Sequence, residues 1–198
     1  VYAYWITKIV DAGVDKTAMY KKPLIGTAAD TSDEVQMWKS NSVVVNDAVM
    51  EFTKERIVAC INNKVYEIST TASALPSAVY THPVDDFAYT SITSSGAAIY
   101  VTGYSGSQSN IQKFTLTTAG AMPTLTSAIT AAEMPSGELI FRIYYYLGYM
   151  MIGTSLGVRV AAVSDDGSLA YGPLIFESEQ PVYDFAARGQ YVWCCNKC

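Results

Sequence analysis

One stretch constrains this chain more than any other. Thr117-Thr118-Ala119-Gly120-Ala121-Met122-Pro123 repeats Thr70-Thr71-Ala72-Ser73-Ala74-Leu75-Pro76 almost residue for residue. Two looser copies, Lys22-Pro23-Leu24-Ile25 and Gly172-Pro173-Leu174-Ile175, place prolines at 23, 76, 123 and 173, which are 53, 47 and 50 positions apart. A second marker keeps step with the first. Short apolar strands ending in a small residue, Ile57-Val58-Ala59-Cys60, Tyr100-Val101-Thr102-Gly103, Met150-Met151-Ile152-Gly153 and Tyr191-Val192-Trp193-Cys194, recur at 43, 50 and 41 positions. Strands and turns repeating with a period of roughly 45 to 50 residues predict an all-β chain, a β-propeller built of four-stranded antiparallel blades.

Taken in order, residues 1–25 predict two strands around Asp11-Ala12-Gly13, the third and fourth of a blade that the chain enters halfway. Residues 26–42 predict a long loop, with room for a short helix from Asp33 to Lys39 capped by Ser32. The next blade carries strands at Val49–Phe52, Arg56–Ile61, Val65–Ser69 and Ser77–Thr81, with Asn62-Asn63 as a tight turn and the lone His82 as a turn residue. A further blade has strands near Phe87–Ile92, Ala98–Gly103, Ile111–Leu116 and Leu125–Ile129, with a long polar turn at 104–110. A third spans Glu138 to Phe176, folding back at Leu147-Gly148, and a fourth starts at Pro181 and stops after two strands. Residues 1–198 thus form a single propeller domain or a segment of one, about four blades' worth that starts and ends in mid-blade. The terminal halves could complete each other in a four-bladed ring. The lack of capping sequence at either end favours a larger ring and a fragment of a longer polypeptide.

Composition excludes several functions. The net charge of −5 supplies no basic stripe for nucleic acid. The apolar run from Leu139 to Gly153 holds Arg142 and Gly148 and is too short to span a bilayer as a helix. Cys194-Cys195-Asn196-Lys197-Cys198 has no second ligand pair, so the cluster reads as a strand end and a tail, and no metal or cofactor is expected. Asp165-Asp166-Gly167 reads as a hairpin turn and not as a calcium loop. No nucleophile elbow, phosphate loop or zinc helix is present, so catalysis is not predicted.

The links between blades are all acidic: Asp30, Asp33 and Glu34; Asp85 and Asp86; Glu133 and Glu138; Glu177 and Glu179. They could build a face that attracts cations or a basic partner, or serve solubility alone. The two largest departures from the repeat, 26–42 and 104–110, should emerge on one face. Binding is therefore expected at Trp38, Asp30, Asp33, Glu34, Tyr104 and Gln108. Trp38 is either an interface anchor or a cover for the chain's own core. Tyr104 and Tyr144-Tyr145-Tyr146 offer sugar-stacking surfaces or packing between blades.

The run from Gly157 to Phe176, followed by Pro181-Val182-Tyr183-Asp184-Phe185-Ala186-Ala187-Arg188, resembles the propeller region of minor tail proteins from phages of actinobacteria. The resemblance implies a virion component at the distal tail, structural and binding, acting in host recognition or attachment. It further implies other tail-tip proteins, a host-surface receptor or glycan, and further copies of the chain as partners. The Cys194–Cys198 ending departs from that pattern. A carbohydrate-active enzyme of the glycoside hydrolase type is the competing expectation, because one scaffold hosts both.

Overall fold

Strict alternation along strands buried on both sides builds the molecule. In the computed structural model, which describes residues 1–24, 33–117, 121–123, 128–178 and 180–196, the strand Arg56–Ile61 sends Ile57, Ala59 and Ile61 to one side and Val58 and Cys60 to the other. A strand with period-two side chains and a layer on each face must read as an unbroken apolar run.

Seventeen strands form five antiparallel sheets among the described residues. The first sheet is β1 (Tyr2–Asp11), β2 (Val14–Pro23) and β3 (Val35–Ser40). The second is β4 (Ala48–Thr53), β5 (Arg56–Ile61), β6 (Lys64–Ser69) and β7 (Tyr80–Thr81). The third is β8 (Ala88–Ser95), β9 (Ala98–Ser105), β10 (Gln108–Thr115) and β11 (Ile129–Glu133). The fourth is β12 (Ile140–Tyr146), β13 (Tyr149–Thr154), β14 (Gly157–Val163) and β15 (Leu169–Glu177). The last is β16 (Val182–Arg188) with β17 (Tyr191–Asn196). The chain is all-β, with no α-helix among the described residues.

Tight turns set the registers. Ala12-Gly13, Lys54-Glu55 and Leu147-Gly148 all take positive φ, the geometry whose twist matches that of the strands it joins. Neighbouring sheets pack face to face through four apolar cores. Met19 and Trp38 meet Ile57, Ala59 and Ile68 between the first and second sheets. Val58 and Cys60 meet Phe87, Ile99 and Val101 between the second and third. Tyr100 and Ile111 meet Ile143, Met150 and Ile152 between the third and fourth. Val158 meets Val182 and Phe185 between the fourth and last. Each fully buried Ile or Val contributes about 1.5–3 kcal/mol relative to exposure. The first strands β4, β8, β12 and β16 run side by side.

The three links that leave the second, third and fourth sheets are each tied to the sheet they leave, at the turn between its second and third strands. The amide of His82 donates to Asn63 O (2.8 Å), that of Gly137 to Ser107 O (2.8 Å) and that of Ser178 to Leu156 O (3.1 Å).

Several sequence expectations need correction. Residues 35–40 are a strand and not part of a helix, because β3 completes the hydrogen bonding of β2 with Met19 opposite Trp38. The turn at 104–110 is not long. β9 and β10 stay paired out to Ser105 and Gln108, leaving Gly106-Ser107 as a two-residue turn. Residues 1–25 are not the third and fourth strands of their sheet. The Thr17 hydroxyl of β2 accepts the amide of Val45 (2.9 Å), as the Ser109 hydroxyl of β10 accepts that of Ile140 (3.0 Å). Both hydroxyls meet the approach to the next sheet's first strand, so β2 holds the third place, β1 the second and β3 the fourth. The fourth strands are also displaced from expectation, β7 shortened to Tyr80–Thr81 and β11 moved to Ile129–Glu133.

Candidate functional site: an aromatic cleft at bulged strands

Three of the first strands carry one residue too many. In β8, Tyr89 pairs with Gly103 and Ser91 with Thr102, leaving Thr90 over. In β12, Ile140 pairs with Thr154 and Arg142 with Gly153, leaving Phe141. In β16, Val182 pairs with Asn196 and Asp184 with Cys195, leaving Tyr183. A bulge unpairs one residue and re-aims its side chain, and bulges gather beside binding and active sites.

All three extra residues line a single cleft of about 350 Å³, together with Asp47, Ala48, Val49, Ala88, Tyr89 and Tyr104. Its aromatic wall is continuous. The Tyr104 and Phe141 ring centroids stand 5.9 Å apart, edge to face, and Phe141 and Tyr183 are 5.1 Å apart and tilted. Phe141 and Tyr104 are half-buried and Tyr183 is exposed, so the wall faces solvent.

The polar groups around the wall are held in place. The Thr90 hydroxyl donates to Ile140 O (2.9 Å), joining two bulges. Tyr89 donates to Gln112 Oε1 (2.9 Å), and burial raises the pKa of its phenol, so the group stays protonated. One residue beyond the bulges of β12 and β16, Arg142 Nε lies 3.0 Å from Asp184 Oδ1. Behind Ala88, His82 stacks on Phe87 with centroids 3.8 Å apart, and its Nδ1 accepts the amide of Val84. Burial holds that imidazole below its usual pKa, as suits the expected turn residue.

Entry to β12 is fixed by a buried ion pair. Arg159 donates from Nε to Glu138 Oε1 (2.8 Å), from Nη2 to Glu138 Oε2 (2.7 Å) and from Nη1 to Gly172 O (2.9 Å). Glu138 therefore does not belong to an exposed acidic face. Its side chain is only 2% exposed. Asp85, Asp86, Glu133 and Glu177 are exposed, with Asp86 accepting the Ser105 hydroxyl at 2.7 Å, and Glu179 lies outside the described residues.

The residues singled out from sequence do not converge. Tyr104 stands in the cleft. Gln108 is exposed and donates to Ser136 Oγ at 3.2 Å. Asp33 and Glu34 are exposed ahead of β3, and Asp30 lies outside the described residues. Trp38 is 3% exposed in β3 between the first two sheets, with no acceptor for its indole N–H among the described residues, and there it covers the core. Thr90, Phe141, Tyr183 and Asp47 were missed. A signal for the first three was present: Tyr89 and Ile92, Ile140 and Ile143, and Val182 and Phe185 are buried pairs spaced by three in strands whose period is two.

Among the described residues no three metal-ligating side chains gather, and no helix is long and apolar enough to cross a membrane. Cys60 is buried, which raises its thiol pKa, and Cys194 and Cys195 are exposed and free.

No family model matches the chain, and no curated protein matches it. Among solved structures it is similar to the crystal structure of the computationally designed protein Ika8, with a TM-score of 0.54 and 9% identity over 96% of this chain. The chain spans 55% of that protein's length. The designed protein Ika4 aligns over 86% of this chain and 91% of its own, at 9% identity and a TM-score of 0.42. At such identity the likeness to Ika8 speaks for the fold alone: an all-β chain of successive four-stranded antiparallel sheets.

Proposed function

We propose that residues 1–198 form part of a β-propeller that serves as a structural and binding component of a phage tail tip, with the aromatic cleft as its site for a host-surface glycan. The propeller reading is supported by the succession of four-stranded sheets whose first strands adjoin. Tail location, attachment to the host, neighbouring tail proteins and self-association rest on the resemblance of residues 157–188 to minor tail proteins.

One observation carries the binding role: three bulged strands deliver their extra residues into one cleft beside Tyr104. Aromatic faces stack on the apolar faces of sugar rings, while Asp47 and the Tyr hydroxyls can bond sugar hydroxyls. Glycoside hydrolysis calls for two carboxyl groups flanking the bond. The cleft lining provides one, Asp47, which favours binding over cleavage.

Binding of host cell-wall glycans to the intact chain, measured beside a thermal melt, tests this reading. Phe141→Ala is expected to weaken binding about 30-fold, the scale of an interface hot spot, with little change in the melt. Undiminished glycan binding by Phe141→Ala and Tyr183→Ala would remove the cleft from the proposal, and release of reducing ends would replace it with the enzyme.

A further inference from the structure

The first sheet lacks the strand that opens each of the next three. β1 holds the second place, and among the described residues nothing pairs with its outer edge. At that edge lies an apolar slot of about 560 Å³, lined by Val1, Tyr2, Tyr4, Met50, Glu51, Phe52 and Ile57. Its wall rings would be unfavourable in water without a cover. Phe52 is 58% exposed and Tyr2 49%, and Tyr4 stacks on Phe52 at 6.4 Å with an interplanar angle of 10°.

The internal repeat says what belongs there. On one side β4 adjoins the first strand β8, and β8 adjoins β12 in the same way. On its other side, where a first strand of the opening sheet would run, β4 meets the slot. We propose that this slot takes an extended strand of polypeptide from outside residues 1–198, running antiparallel to β1 and carrying apolar side chains at alternate positions against Tyr4, Met50 and Phe52. Free backbone groups along β1 supply the hydrogen bonds and the apolar walls select the side chains, as in strand addition at any open sheet edge. A second copy of this chain fits poorly. Each of its first strands is already paired with the second strand of its own sheet, and giving one up would undo that pairing.

The test is residue-resolved amide exchange of the 198-residue chain with a synthetic peptide of the sequence of residues 47–54, the one first strand that lacks a bulge. Saturating peptide is expected to slow exchange of alternate amides of β1 at least tenfold. The same peptide with proline at its centre should do nothing. Phe52→Lys should raise the peptide concentration needed at least tenfold while leaving exchange in β9 and β13 unchanged. The proposal is overturned by an unaltered β1, by equal slowing along the edge of β17, or by a chain that self-associates with β1 protected before peptide is added.

Discussion

Phe52 and Phe141 stand near opposite ends of two first strands, Phe52 just before its hairpin turn and Phe141 at the strand's entry, and they end in opposite situations. β4 is paired without interruption from Ala48 to Thr53, and its alternation delivers Phe52 to the slot beside β1. β12 holds one extra residue, and that residue is Phe141, turned into the aromatic cleft. The approaches differ as well. β4 is led in by a neutral side chain, the Asn62 amide, which donates to Val44 O and accepts from Asn46 N at 2.9 Å each. β12 is led in by the buried pair of Glu138 and Arg159. Regular alternation yields a wall, whereas an inserted residue yields a site, and the site needs a firmer clamp because a bulge gives up ladder hydrogen bonds.

The contrast is open to measurement, beginning with the clamp. Glu138→Gln leaves Arg159 buried against a neutral partner and is expected to destabilise by about 3–5 kcal/mol in denaturant unfolding. A loss below about 1 kcal/mol would mean that the ion pair does not hold the bulged strand. Next come the glycines beside the bulges. A Cβ on Gly103 would stand 2.2 Å from Ala88 O and 2.6 Å from Phe87 Cε1, so Gly103→Val should cost about 3 kcal/mol by overpacking. An unchanged unfolding midpoint would show that the register at Thr90 is wrong.

On the unbulged side the effects shrink. Asn62→Ala removes two hydrogen bonds at a residue with φ of 53°, and a loss of about 2 kcal/mol is expected. If it proved as costly as Glu138→Gln, the distinction between the two approaches would vanish. The smallest effect concerns Glu51, in β4. Burial raises its carboxyl pKa, opposed by the Ser94 hydroxyl and the charge of Arg142. A carboxyl raised in the folded state binds its proton more tightly there than in the unfolded chain. Its penalty is therefore absent below the unfolded value of 4.5 and grows as pH rises through the folded one. Thermal melts at pH 4 and pH 8 should accordingly show Glu51→Gln gaining on the parent chain at the higher pH only, and a gain equal at both would rule out the carboxyl as its source.

Much of this fold was legible. Apolar runs broken by turn residues located β4, β5, β6, β12 and β13 to within a residue or two. The proline marker misled at the first sheet. Pro23 ends a third-place strand while Pro173 lies in a fourth, so matching them shifted that sheet by one place. The small-residue marker slipped by one for a related reason. Register makes Thr154 the counterpart of Gly103 and Thr102 that of Gly153, since the two glycines lie on opposite sides of their bulges. The cleft itself went unread, except for Tyr104. It is assembled from strands roughly one repeat apart, and only pairing brings the extra residues together. Trp38 looked like a loop residue because its strand follows a polar stretch, and only the pairing of Met19 with Trp38 turns it inward.

The bonded links carry one more consequence, which is mechanical. A covalent connection between sheets would ordinarily be the slack part of such an array, free to flex while the sheets stay rigid. Here the amides of His82, Gly137 and Ser178 are each fastened to the preceding sheet before the chain enters the next. A tug on any of these three sheets therefore loads the body of its neighbour at once.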